Sequence, residues 1–80
     1  MAIAYQYGIG HFNHKFYQLR KGQNLTQTEL GKKLGYDNHT IMRVENGWSG
    51  GKLDFWLAVQ KFYGIPDSEM WGLMLGKEDS

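Results

Sequence analysis

The chain reads as all-α: five short helices around one small core. Three observations predict this. Apolar residues recur at helical spacing in several short stretches, as with Leu30 and Leu34 at i and i+4. The stretches are punctuated by stop signals, Gly22, Gly35 and Asn46-Gly47 among them. No segment shows an apolar/polar alternation that would read as a strand.

The first ten residues carry Gly8 and Gly10 and no helical stripe, and are read as an N-terminal arm over 1–10. The first helix is predicted from about His11 to Lys21, with Phe12, Phe16 and Leu19 inward and Gly22 ending it. Thr26 and Glu29 form a T-x-x-E capping box, which satisfies two orphan amide donors and sets the start of the second helix. Gly35 tolerates the left-handed backbone that stops that helix. Asp37 caps the third, in which Ile41 and Val44 face inward. Two helices joined by so short a turn must cross steeply, which is helix-turn-helix geometry. Trp48-Ser49-Gly50-Gly51 is a loop by composition. The fourth helix is predicted from about Leu53 to Tyr63, with Leu53, Trp56, Val59 and Tyr63 inward and Phe55 and Phe62 on a separate face. Pro66 and Asp67 open a fifth helix, and residues 77–80 are read as a frayed tail after a domain spanning 11–76.

With 80 residues the chain makes one small domain, which buries only a little over half of its unfolded surface. An aromatic content of 15% compensates with large side chains. No cysteine occurs, so neither a disulfide nor a thiolate metal site can staple the fold. No run approaches the roughly 18 apolar residues of a membrane span, and the start lacks a basic signal-peptide region. A soluble cytoplasmic domain without membrane contact is expected. Net charge is only +1, but its distribution is uneven. Residues 11–43 hold six basic side chains against Glu29 and Asp37, whereas residues 66–80 hold Lys77 against four carboxylates.

Residues 25–47 resemble the helix-turn-helix of the phage Cro and CI repressor type, the XRE family. Leu25, Thr26, Gln27, Leu30, Gly35, Ile41, Glu45 and Gly47 carry the likeness at that family's spacings. Phe12, Phe16, Leu19 and Arg20 match its first helix, Leu53, Trp56, Val59, Tyr63 and Gly64 its fourth, and Asp67 to Leu75 its fifth. The resemblance implies a compact five-helix bundle of the lambda-repressor-like type. It also implies a sequence-specific regulator of transcription that reads operator DNA with its third helix.

With Ile41 and Val44 inward, Asn38, His39, Met42 and Arg43 project outward or sideways. Asn pairs bidentately with adenine and Arg with guanine, each worth about 1–3 kcal/mol of discrimination. Thr40 offers a methyl to thymine or a hydroxyl to phosphate. The resemblance points to the same base-reading set, Asn38, His39, Thr40 and Arg43. It implies DNA-backbone contacts from Gln27, from Thr26, and from Asn46, Ser49 and Lys52 after the third helix. Trp48 either lies along a sugar-phosphate strand or covers the core. It further implies a partly buried ion pair between Arg20 and Glu45. Three residues depart from the family pattern: Gly31 and Gln60 stand where Ala is usual, and Asp37 sets a negative charge near the groove.

Apolar residues exceed what one core needs. Phe55, Phe62, Met70, Trp71 and Met74 are expected either to form a homodimer contact, as the resemblance implies, or to lie under the arm through Ile3, Tyr5 and Tyr7. His11 and His14 have no Cys, Asp or Glu neighbours to complete a metal site, and Ser49 has no general base. No metal, cofactor or catalytic constellation is read, so the chain is expected not to be an enzyme. Besides an operator-binding homodimer on a palindromic site, two other functions fit the sequence. One is an antitoxin-type autoregulator that also grips a protein partner. The other is a helical protein-interaction module without DNA binding.

Overall fold

Asn13, one residue before the first helix, ties together distant parts of the computed structural model, which describes residues 10–76. Its side-chain oxygen accepts from the Phe16 amide at 3.0 Å, capping α1 (His14–Gly22). Its amide nitrogen donates to the Leu73 carbonyl at 3.0 Å, and its backbone N–H to the Glu45 carbonyl at 2.7 Å. The Gly10 N–H donates to the Gly47 carbonyl at 2.8 Å, and the His11 ring Nε2 to the Leu75 carbonyl at 2.7 Å. These bonds hold His11 and Phe12 out of the helix, so α1 begins three residues later than the predicted His11. The first nine residues of the proposed arm, with Ile3, Tyr5 and Tyr7, lie outside the described residues, as does the proposed tail over 77–80.

The remaining helices are α2 (Gln27–Leu34), α3 (Asn38–Glu45), α4 (Leu53–Tyr63) and α5 (Asp67–Leu75). Both atoms of the predicted capping box at α2 are in place, Thr26 N–H to Glu29 at 2.8 Å and Glu29 N–H to Thr26 Oγ1 at 3.0 Å. Asp37 caps α3. Among the described residues the fold is all-α with five helices and no strand. α2 packs chiefly on α3, with α4 against α2, and α1 lies against α3 and α5.

Two glycines permit close approaches that a side chain would forbid. A methyl at Gly31 would stand 2.5 Å from the Tyr36 carbonyl oxygen, so the α2–α3 turn folds directly onto α2. At Gly47 the backbone has φ +74°, and a Cβ would collide with the His11 main chain. The Gly31 departure from the family pattern is thus a packing requirement. Its helix-propensity cost of about 1 kcal/mol is secondary.

Phe16, Phe55 and Trp56 form the centre of the core in edge-to-face contact, with ring centroids 5.1–5.7 Å apart. Leu30, Leu34, Ile41, Val44, Val59, Leu73 and Met74 surround them. The indole N–H of Trp56 donates to the Gly50 carbonyl at 2.7 Å, so its polar atom is satisfied inside. The faces of α4 differ from the sequence reading. Phe55, expected on an outer face, is 1% exposed, while Leu53, expected inside, is 63% exposed. The helical period explains this: Phe55, Trp56, Val59 and Tyr63 fall on one side, and Leu53 and Leu57, one turn apart, on the other. Met74 is likewise buried and Met70 packs half-buried on the core. Of the five expected dimer residues only Phe62 and Trp71, 37% and 55% exposed, remain on the surface. The Gln60 amide donates to the Ile65 carbonyl and to Asp67, closing the α4–α5 corner.

A buried ion pair fixes α1 against α3. Arg20 Nε donates to Glu45 Oε2 at 2.6 Å and Nη2 to Oε1 at 3.0 Å, a bidentate fork. Arg20 Nη1 reaches the Leu25 carbonyl at 2.9 Å, and the guanidinium lies 5.3 Å from the Tyr17 ring centroid. The hydrogen bond to Glu45 raises the Arg20 pKa above its ordinary value, against the opposing effect of burial. Nearby, the Tyr63 hydroxyl is buried with no hydrogen-bond partner among the described residues, and burial raises its pKa.

Three stability predictions follow from these contacts. Asn13→Ala removes a cap and strands the Leu73 carbonyl, and should cost about 2–3 kcal/mol in urea unfolding. Asn13→Asp, which keeps the acceptor but loses the donor, should not restore it. Glu45→Ala or Arg20→Ala leaves a buried charge uncompensated and should cost about 3–5 kcal/mol. Exposed pairs give only about 0–1 kcal/mol, so an unchanged midpoint in both variants would remove the pair from the structural account. Tyr63→Phe deletes an unpaired polar atom and should be neutral or stabilising by up to about 1 kcal/mol. A clear loss of stability would mean that the hydroxyl has a partner.

Candidate nucleic-acid interface

The helix pair α2–α3 is joined by residues 35–37 alone, and Gly35 adopts φ +87° to end α2. With Ile41, Val44 and Glu45 buried, α3 turns its other side outward. His39 and Arg43 are exposed there, and Asn38, Thr40 and Met42 are half-buried. Arg43 and Thr40 line one cleft together with Tyr36, Ser49 and Lys52, whose floor is Val44, Gly51 and Phe55. The structure thus brings two cations, Arg43 and Lys52, and three hydroxyl side chains, Tyr36, Thr40 and Ser49, to a single cleft beside α3. Trp48 is 67% exposed, which removes it from the core and leaves its indole on the surface after α3.

Several candidate side chains already have internal partners. Thr40 donates both its N–H, at 2.9 Å, and its hydroxyl, at 3.0 Å, to Asp37 Oδ1. The Gln27 amide donates to Glu45 Oε1 at 3.1 Å, so α2 joins the ion pair that links α1 and α3. The Asn46 amide donates to the Met42 carbonyl at 2.9 Å, closing the end of α3. Ser49 Oγ accepts from the Gly51 N–H at 3.2 Å. Thr26 is engaged in its capping box. Lys52 is exposed and opens α4 without a side-chain cap bond. Internal partners orient Gln27, Asn46 and Thr40, while Arg43, His39 and Lys52 extend outward.

The two capping carboxylates carry the electrostatics at the helix starts. The Thr26 N–H, then its hydroxyl, lowers the Glu29 pKa below the ordinary value. The Thr40 N–H, then its hydroxyl, does the same for Asp37, and the nearby His39 and Arg43 side chains lower it further. A lowered carboxylate contributes stability above its ordinary pKa and loses it as pH falls through the folded value. Both groups are therefore charged at neutral pH. Two of the first-turn donors of α2 are used by the capping box, leaving the other first-turn amides to face outward.

Two residues that organise this surface were not singled out from the sequence for these roles. Asn13 had a local signal, an Asn three positions before Phe16. For Asp37 the sequence shows a cap and a charge. Its pairing with the Thr40 hydroxyl depends on rotamers that no spacing reveals. Among the described residues no group of three or more His, Cys, Asp or Glu could hold a metal ion. No helix among them is long and apolar enough to cross a membrane.

Comparison with known proteins points in the same direction as the geometry. The HTH-type transcriptional activator BcrR of Enterococcus faecalis is 32% identical over 59 residues, 74% of this chain and 29% of its own length. The cryptic phage CTXphi transcriptional repressor RstR of Vibrio cholerae is 32% identical over 59 residues, 74% of this chain and 53% of its own. The chain thus spans about half or less of the length of these two relatives. An uncharacterized HTH-type transcriptional regulator of Methanocaldococcus jannaschii is 39% identical over 51 residues, 64% of this chain and 74% of its own length. No protein-family model and no solved structure matches the chain. At 39% identity across 74% of the Methanocaldococcus jannaschii regulator, the chain belongs to the HTH-type transcriptional regulators.

Proposed function

We propose that this domain is a Cro- or repressor-like DNA-binding module that lays α3 in the major groove of a specific operator. The observation that carries the reading is the row of exposed and half-exposed polar side chains on α3, beside a cleft that gathers Arg43 and Lys52. An α-helix fits the major groove, where each base pair presents a distinct donor and acceptor pattern. Asn38, His39 and Arg43 supply base contacts, and Thr40 supplies its methyl and a hydroxyl acceptor. Lys52 and the loop residue Ser49 meet the phosphate backbone. At the other end, the first-turn amides of α2 that the capping box leaves open, beside Gln27, meet a phosphate, aided by the positive end of the helix dipole.

A single such module offers few base contacts, and a two-fold homodimer doubles them. Phe62 and Trp71 remain as exposed apolar surface for that contact, since Phe55 and Met74 lie inside the fold. Two-fold binding places the recognition helices about 34 Å apart, so the operator is an imperfect palindrome with half-sites about 10 base pairs apart.

Competition binding to duplexes selected from a random pool tests the assignment. Arg43→Ala and Asn38→Ala should each weaken the selected site by about 1–3 kcal/mol and relax preference at one or two positions. Lys52→Ala should weaken all sequences alike and flatten the salt dependence. Identical behaviour of the two classes would dismiss α3 as the reader. Phe62→Lys should lower operator affinity while the domain stays folded, and a 1:1 complex unaffected by it would dismiss the dimer.

A further inference from the structure

We infer that Asp37 is a specificity-determining residue, accepting a hydrogen bond from the N4 amino group of a cytosine in each half-site. The inference rests on the reading that α3 enters the major groove. Asp37 stands exposed at the leading end of α3, and both donors of Thr40 converge on its Oδ1. Those two bonds hold the carboxylate in one orientation. Among the described residues no hydrogen bond engages Oδ2. Because the Thr40 hydroxyl proton points at Asp37, the pair presents acceptors alone to anything beyond it.

A charged group made only of acceptors selects sharply among base edges. Guanine shows two acceptors in the major groove and thymine one, so both repel it. Adenine offers an amino group, but next to the N7 acceptor. Cytosine offers its amino group beside a C–H edge and is the fitting partner. Neighbouring phosphates add a sequence-independent penalty, which only a matched base offsets.

The register follows from the helix. Asp37, Thr40 and Arg43 stand three residues apart in turn, and Thr40 and Arg43 line the same cleft. Six residues at 1.5 Å rise separate Asp37 from Arg43 by roughly 9 Å, which is about two to three base-pair steps of 3.4 Å. An acceptor at one end and a guanidinium at the other therefore read a cytosine and a guanine that far apart.

The role of Asp37 as a cap is separable from this one, because Asn and Ser cap a helix about as well as Asp. Duplexes should be selected from a random pool with the wild type, Asp37→Asn and Asp37→Ser, after thermal unfolding shows that all three are folded. The wild type should prefer cytosine at one position of each half-site by roughly ten- to a hundred-fold, and both variants should lose that preference while keeping the guanine read by Arg43. Both should also bind unrelated duplexes more tightly at low salt. A second measurement needs no variant. Replacing that cytosine with N4-methylcytosine, which still pairs with guanine, should weaken the wild type and leave Asp37→Ser unaffected. If the wild type selects a motif and both variants select the same one with equal discrimination, Asp37 is a cap alone. If the wild type selects no motif, the groove reading itself falls and this inference with it.

Discussion

Everything in this small fold is arranged around one buried carboxylate. Glu45 is 1% exposed, and a charge so placed cannot remain without partners. Arg20 supplies two donors from α1, and Gln27 a third from α2. The Glu45 main-chain carbonyl receives the Asn13 N–H ahead of α1. One residue of α3 therefore sets the position of α1, of α2 and of the chain entering α1. Well-packed hydrophobic residues could replace such a pair with little loss of stability. They could not hold the Gln27 amide, nor tie the end of α1 to the start of α2 through the Leu25 carbonyl. What the ion pair contributes is an angle between helices, and in a helix-turn-helix that angle decides which side chains reach a groove.

The second constraint is closure. This short chain has no cysteine, and among the described residues ten buried hydrophobic residues form its core cluster. The two ends of the described segment are instead drawn together by polar bonds. Asn13 and His11 reach the last turn of α5 through the Leu73 and Leu75 carbonyls. Gly47 lets the segment before α1 pass against the end of α3, and Gly10 bonds across that crossing. The carbonyls at a helix end are orphan acceptors, so using them to close the fold satisfies two requirements with the same bonds.

Local chemistry was legible in the sequence wherever a structural choice is made within a few residues. The capping box at Thr26 and Glu29, the stop at Gly35 and the cap at Asp37 all stand where the spacing put them, because each is settled within one turn of helix. The Arg20–Glu45 pair, 25 residues apart, was reachable only through family resemblance. The faces of α4 are not legible in Leu53, Trp56, Val59 and Tyr63, which look periodic in isolation. Adjacent Phe55 and Trp56 cannot both be inside under that pattern, and a wide stripe rather than a narrow one accommodates them. At the candidate site, residue types could be read but not their commitments. That Thr40 gives its hydroxyl to Asp37, or Asn46 its amide to Met42, depends on rotamers set by packing. Of the side chains proposed to touch DNA, those with internal partners are the ones whose geometry sequence alone could not supply.

Charge adds a consequence for how the proposed function would work. A domain of net charge +1 draws little affinity from phosphates in general, and Asp37 and Glu29 at the leading ends of α3 and α2 reduce it further. A capping carboxylate stabilises its helix through the dipole and the free amides. The same charge opposes DNA wherever a matched donor is lacking. Discrimination is a difference between two binding free energies, and weakening the wrong complex serves it as well as strengthening the right one. With so little net charge to draw on, the proposed operator binding would rest on base contacts, and a second copy would double them. The electrostatics therefore favour the same arrangement as the exposed Phe62 and Trp71, a pair of domains on a two-fold site.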